Sequence, residues 1–287
     1  MNVNPVPIRT IMSVGVVFSL LTCAWAEIPV LPKGGETRWV MDGVHELVCY
    51  ATFDPVKVMP LLSTDYRFIS MEEVAAGGAQ WAKDYLAKYP RHARWGISFL
   101  EIVQAKEFSI DGTAPHWPAD GAVALWCARI AATGTRNEYA RPFLMLACWI
   151  PDRDYADYMR QKGHYATYGD VTLRREADGS WIGCVQTEGL SIKAMCRPVG
   201  PVSGGDQAAG TQTFIPPATA SMFHYVQVVF AGHREQACAE GAVWSISGSH
   251  PLASSLVLEP SSFQFGYHLL GSAYVSSGDR PPGKTSK

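Results

Sequence analysis

The chain alternates short apolar runs with turn-forming residues along most of its length. Met41 to Phe53 predicts a strand, and Trp95 to Phe108, where apolar and polar positions alternate, predicts a second and longer one. Gly121 to Ala131 and Pro142 to Ile150 are almost continuously apolar, as expected for strands buried on both faces. Val171 to Glu176 and Trp181 to Gln186 flank Asp178-Gly179, a strong hairpin signature. Leu190, Ile192, Ala194 and Cys196 alternate up to Arg197-Pro198. Phe223 to Phe230, Ala239 to Ser247, Ser255 to Leu258 and Phe263 to Tyr267 predict further strands.

Helical periodicity is rarer. Asp54-Pro55 opens a short predicted helix over Val56 to Leu62, and Met71 to Tyr89 predicts a longer one, weakened at Gly77 and Gly78. Between these elements lie the Asp111-Gly112 turn, a Pro- and aromatic-rich loop over Thr113 to Asp120, and a Gly- and Ser-rich stretch from Pro201 to Thr213 that predicts a mobile loop. Many strands and few helices favour an α+β domain from about Trp39 to Tyr274 around a large curved antiparallel sheet or barrel.

Pro151 to Gly169 is the stretch around which the rest is arranged. With a helical period, Tyr155, Tyr158, Met159 and Lys162 share one stripe; Asp152 or Asp154 can cap the start and Gly163 can end it. Lys162 then stands in the last turn, near Arg160 and His164. An amine beside aromatic rings and other cations suits carbonyl chemistry. A lysine in a last turn also serves as ordinary end-charge complementation.

Charge and compartment narrow the classes. The net charge of −2 gives no electrostatic footprint for nucleic acid or an anionic membrane. Arg9, the apolar run Ile11 to Cys23 and the small-x-small site Ala24-Trp25-Ala26 predict a secretory signal over 1–26, and hence a secreted or periplasmic protein starting at Glu27. The mature domain is expected over 27–275 and a disordered Pro/Gly tail over 276–287. After cleavage Cys49, Cys127, Cys148, Cys184, Cys196 and Cys238 remain, an even set that permits disulfides in an exported chain, with buried thiols as the alternative for those in apolar runs. Neither C-x-x-C nor H-x-x-x-H occurs, so neither a metal nor a cofactor is expected. No G-x-S-x-G or G-x-G-x-x-G supports a hydrolase or dinucleotide reading.

Four stretches, in this order, resemble the acetoacetate decarboxylase-like superfamily. They are Phe53 to Leu62, Phe99-Leu100-Glu101-Ile102-Val103, Tyr158 to Gly163, and Ser247-Gly248-Ser249-His250-Pro251-Leu252-Ala253 with Phe265-Gly266-Tyr267 after it. The resemblance implies a cone-like antiparallel β-barrel with flanking helices, an apolar cavity for a small oxo-acid, and homo-oligomers. It also implies a Schiff-base lysine at the end of the Tyr158 segment and an active-site glutamate at Glu101. The family's lysine pair falls here on Arg160 and Gln161, with Lys162 displaced beyond it.

Catalytic roles are therefore expected for Lys162, Glu101 and Arg160, and substrate-binding roles for Asp120, His116 and His250. Asp120 is the acid nearest to where the family places a second glutamate. Two readings stay open: a lyase that forms a lysine imine, whether decarboxylase, aldolase or dehydratase, and a non-catalytic binder of a small apolar or acidic ligand on the same scaffold.

Overall fold

A computed structural model describes residues 38–110, 112–116, 118–133, 142–161, 164–198, 203–215, 217, 225–250, 253 and 266–278. The predicted signal segment, Lys162, Gly163 and the strand expected over Ser255 to Leu258 lie outside these residues.

The chain opens with β1 (Arg38–Phe53), whose register shifts between Met41 and Val44. Instead of the helix expected over Val56 to Leu62, two 3-10 turns form, Pro55–Lys57 and Met59–Leu61. Pro60 has no N–H to continue an α-helical ladder, while Asp54 caps the first turn by accepting from Val56 N at 3.1 Å. After β2 (Tyr66–Phe68), the predicted long helix is two: α1 (Met71–Ala76) and α2 (Gln80–Lys88). A capping box between Ser70 and Glu73 starts α1. Gly78, at φ 98°, makes the break between them, a conformation that costs glycine little.

The strand expected over Trp95 to Phe108 is likewise two, β3 (Gly96–Gln104) and β4 (Glu107–Ile110). β3 pairs with residues His45–Phe53 of β1 and β4 with Trp39–Asp42, so they meet β1 on opposite sides of its register shift. β5 (Val123–Ala132), β6 (Pro142–Ile150), α3 (Arg153–Gln161) and β7 (Thr167–Tyr168) follow. Next come β8 (Asp170–Arg175), β9 (Trp181–Thr187) and β10 (Leu190–Pro198), close to the predicted boundaries.

Three expectations fail near the C-terminus. The stretch predicted as a mobile loop contains β11 (Ser203–Ile215), which is tied into the sheet by backbone pairing despite its small residues. The two strands expected over Phe223 to Ser247 are one, β12 (Tyr225–Ser247), whose register against β13 shifts between Ala231 and Glu235, where the prediction placed a gap. β13 (Gly266–Gly278) continues two residues past Ser276, where a disordered tail was expected to begin. In each case, ladder hydrogen bonds to a neighbouring strand override local composition.

The strands join in the order β11-β6-β5-β3-β1-β13-β12-β10-β9-β8, and β11 also pairs with β12. Pairing is antiparallel apart from β11–β6 and β6–β7, so the sheet is mixed rather than wholly antiparallel. One face of its centre carries Leu47, Leu100, Ile102 and Trp126 and packs against Val171, Val185 and Ile192 from β8, β9 and β10. At Gly183 a Cβ would stand 2.4 Å from Ile102 Cδ1 and 3.3 Å from Leu47 Cδ2, so a side chain there would push aside the tips of residues from the facing layer. The opposite face carries Val48, Phe99, Cys127, Phe143 and Cys148 and packs against α3. β6 is buried at every position, as its continuous apolar run predicts. Cys49, Cys127, Cys148 and Cys184 are free thiols, so disulfides do not engage these four; the side chains of Cys196 and Cys238 lie outside the described part.

Candidate functional site

Asp152, not Asp154, caps α3. Its Oδ1 accepts from Tyr155 N at 3.0 Å, and its Oδ2 accepts from His116 N at 2.8 Å, tying the 112–116 loop to the helix start. Tyr155, Ala156 and Met159 are buried against the sheet, following the predicted stripe. The Tyr155 hydroxyl donates to Thr113 O at 2.8 Å. Past the last turn, His164 N donates to Met159 O at 3.0 Å, a bond that returns the chain to the core after the helix ends. His164 and Ala166 are then fully buried, the latter in the same cluster as Met159.

On the sheet face that α3 packs against lies Glu101. It stands in β3 opposite Val48 of β1 and Leu125 of β5. Strand alternation places it with Phe99 and Cys127, on the α3 side of the sheet, and only 7% of it is exposed. Burial pushes the Cys127 thiol well up, and the Glu101 charge adds to that shift, which locates the carboxylate near the sulfur. Cys148 shares the face, its thiol pushed up to about 12 by burial. Tyr165 is raised by burial and then by Cys148. Glu101 therefore shares its buried face with two thiols and a phenol that burial makes hard to ionise.

A second acid on that face escaped sequence analysis. Glu46 of β1 pairs with Val103, two positions from the Val48–Glu101 pair, so it shares Glu101's face. It is 4% exposed. Its place in His45-Glu46-Leu47 carries no sequence signal beyond a charge in an apolar strand.

The other predicted residues are dispersed. Arg160 is paired with Asp157 one turn earlier, with 49% of its side chain exposed. His116 is exposed and contributes its backbone N–H to the Asp152 bond. Asp120 lies in the turn before β5, where its carbonyl accepts from Leu173 N at 3.0 Å. His250 is half-buried in a turn, its N–H donating to Gly189 O at 2.8 Å and its carbonyl accepting from Ala253 N at 2.9 Å. The backbone bonds of these last three residues hold loops. Among the described residues no group of three or more His, Cys, Asp or Glu could hold a metal ion.

No protein-family model and no curated protein matches the chain. Solved structures do. An acetoacetate decarboxylase superposes with a TM-score of 0.51 at 9% identity, over 86% of this chain and 88% of that one. The acetoacetate decarboxylase of Legionella pneumophila gives 0.48 at 9% identity, over 91% of each chain. The enduracididine biosynthesis enzyme MppR, solved with pyruvate, gives 0.45 at 10% identity, over 88% and 92%. At such identities the likeness is one of fold.

Proposed function

We propose that this chain, whose fold is acetoacetate decarboxylase-like, is an exported lyase that acts on a small oxo-acid through an imine on Lys162. The observation that carries the reading is Glu101, a carboxyl buried on the sheet face covered by the helix that leads into Lys162. A carboxyl in an apolar layer retains its proton more readily than one in water and is suited to returning that proton to carbon.

In decarboxylation, the Lys162 amine condenses with the ketone and expels water. The iminium takes up the electron pair as the carbon–carboxylate bond breaks and carbon dioxide leaves. Glu101 then donates a proton to the enamine carbon, and hydrolysis of the imine frees the product. An ordinary lysine has a pKa of about 10.4, so attack requires an environment that lowers it. An apolar setting would act in that direction, and the charge of Arg160, which is paired with Asp157, would add to it if it lay close by.

The rest of the reading concerns shape and setting. The β11–β12 pairing joins the two ends of the seven-strand path from β11 to β12, which supports the cone-like barrel. Export through the 1–26 segment, a mature domain over 27–275, and assembly into oligomers belong to the same proposal. No described helix is long and apolar enough to cross a membrane. Asp120, His116 and His250 would contact substrate only through side chains whose backbones already fix loops. The pairing of Arg160 with Asp157 favours the second reading, a non-catalytic binder, because a neutralised arginine holds a substrate carboxylate less well.

Borohydride trapping with acetoacetate or pyruvate, followed by peptide mapping, tests the enzyme. Reduction should label Lys162. Label on Lys193, an exposed strand lysine that serves as the control, or no label at all, would sink the imine mechanism and leave the binder.

A further inference from the structure

Tyr89, His92 and Trp95 recur every third residue after α2, on a backbone that turns with bonds three residues apart. His92 N donates to Tyr89 O at 3.0 Å, Ala93 N to Pro90 O at 3.3 Å and Trp95 N to His92 O at 2.9 Å. In a 3-10 turn, side chains three apart eclipse one another, so the three rings stack. The centroids of Tyr89 and His92 are 5.7 Å apart with 19° between the planes, and those of His92 and Trp95 are 3.5 Å apart with 9°. The stack is held from behind. His92 Nδ1 is 2.6 Å from the Tyr85 hydroxyl, which is 2.8 Å from the Thr52 hydroxyl of β1. His92 Nε2 accepts from Arg91 Nε at 3.3 Å, and a guanidinium N–H can only donate. The imidazole therefore carries its proton on Nδ1 and adds no charge of its own.

The same period sets a cation immediately before each ring: Lys88, Arg91 and Arg94, all exposed. The Lys88 ammonium stands 5.3 Å from the Tyr89 centroid, and the bond to His92 fixes the Arg91 guanidinium at the next ring. Along a 3-10 backbone this repeat is about 6 Å. Among the described residues Lys88 and Arg94 form no ion pair. Two acids lie close by. Asp84, one turn before Lys88, accepts from Gln80 Nε2 at 2.8 Å, and Glu72 is exposed where its N donates to Ala93 O at 3.0 Å. We infer that Lys88, Arg91 and Arg94 form a docking row for an acidic polypeptide segment. Its carboxylates would recur about 6–7 Å apart along one edge, as alternate residues of an extended strand do. Charge complementarity sets the class of partner, and the ring stack restrains two of the cations, so less freedom is lost on binding. A lipid surface fits less well, because Tyr89 and Trp95 are committed to the stack rather than to insertion. Nucleic acid fits less well too: a chain with 24 basic and 26 acidic residues presents a row of three cations, not a broad basic surface. The row belongs to the helical module packed around Met71, Tyr85 and Ile97, apart from the face that holds Glu101, so it does not depend on the imine reading.

The test is fluorescence anisotropy of a dye-labelled peptide of alternating Glu and Ser, titrated with the full chain at about 0.01 M and about 0.15 M salt. The peptide should bind at low salt and weaken at least about fivefold at the higher, where the Debye length falls from about 30 Å to about 8 Å. The same peptide with Gln for Glu should not bind. Lys88→Gln/Arg94→Gln, which leaves the His92 bonds in place, should weaken binding about fivefold or more. Glu72→Gln, which removes a competing carboxylate, should tighten it about twofold. Lys83→Gln, on a different side of α2 from Lys88, should change nothing. Circular dichroism establishes that each variant is folded; should the double variant not fold, Arg94→Gln alone carries the decision. The inference is overturned if the wild type does not bind the peptide at low salt, if the double variant binds it as tightly as the wild type, or if Lys83→Gln weakens it as much. It is also overturned if anionic lipid vesicles or a single-stranded oligonucleotide bind through the same cations more tightly than the peptide does.

Discussion

Asp152 and His116, 36 residues apart, are joined by a 2.8 Å bond from the His116 backbone N–H to the Asp152 carboxylate. The other oxygen of the same carboxylate caps α3 at Tyr155. One side chain thus fixes both the start of the helix that leads to Lys162 and the loop beside it. Asp152→Ala should cost about 1–2 kcal/mol, the upper range for loss of a cap, measured by urea unfolding. Asp154→Ala, on the same first turn but outside the cap, should change stability by less than about 0.5 kcal/mol. Equal losses would show that Asp152 is not the cap.

Glu101→Gln removes the transferable proton and conserves shape. Under the imine reading it should lower kcat by about 10²–10⁴-fold while borohydride still labels Lys162, because the acid acts after condensation. Lys162→Arg should abolish labelling, since a guanidinium stays protonated. Turnover unchanged in Glu101→Gln would remove the carboxyl from the mechanism.

The buried thiols make stability fall at high pH. Cys127 is raised well above its ordinary value and Cys148 to about 12, while both titrate near 8.5 once unfolded. Between those values the folded state binds more protons than the unfolded one, so the contribution is intact below about pH 8.5 and is lost as pH climbs toward 12. Cys127→Ala/Cys148→Ala should flatten the alkaline decline in thermal midpoint. Native protein at pH 8 should resist alkylation at both positions, read by mass spectrometry, and rapid labelling would contradict their burial.

Gly248 has φ 122°, and a Cβ there would lie 2.1 Å from Gly189 O. Gly248→Ala should therefore displace the turn that carries His250 and cost about 1–3 kcal/mol or more. Gly112→Ala meets no atom within 4 Å, and its cost should be confined to the φ of 80°. Thermal unfolding of the two variants separates the clash from backbone strain.

Tyr85 links three elements: its hydroxyl bonds Thr52 of β1 at 2.8 Å and His92 Nδ1 at 2.6 Å. Tyr85→Phe deprives two buried polar groups of these bonds and should destabilise by about 1–3 kcal/mol. A neutral effect in chemical denaturation would mean other partners fully compensate.

Local pattern determined much of this protein. The apolar run of β6, the Asp178-Gly179 hairpin, the alternation of β10 and the stripe of α3 were each legible, because the side-chain periods of strand and helix are set by backbone geometry alone. The ordered segments around Phe53, Glu101 and Tyr158 also pointed to the fold that the solved structures share. What local pattern could not reach was pairing between distant segments. β11 reads as a loop because its Gly, Ser and Ala have little strand preference, and only its ladders to β12 and β6 make it a strand. Glu46 reads as an isolated charge until the β1–β3 register sets it beside Glu101. Alternation says that a residue faces one side of a sheet; which strand lies next to it, and what covers that side, is decided by contacts remote in sequence.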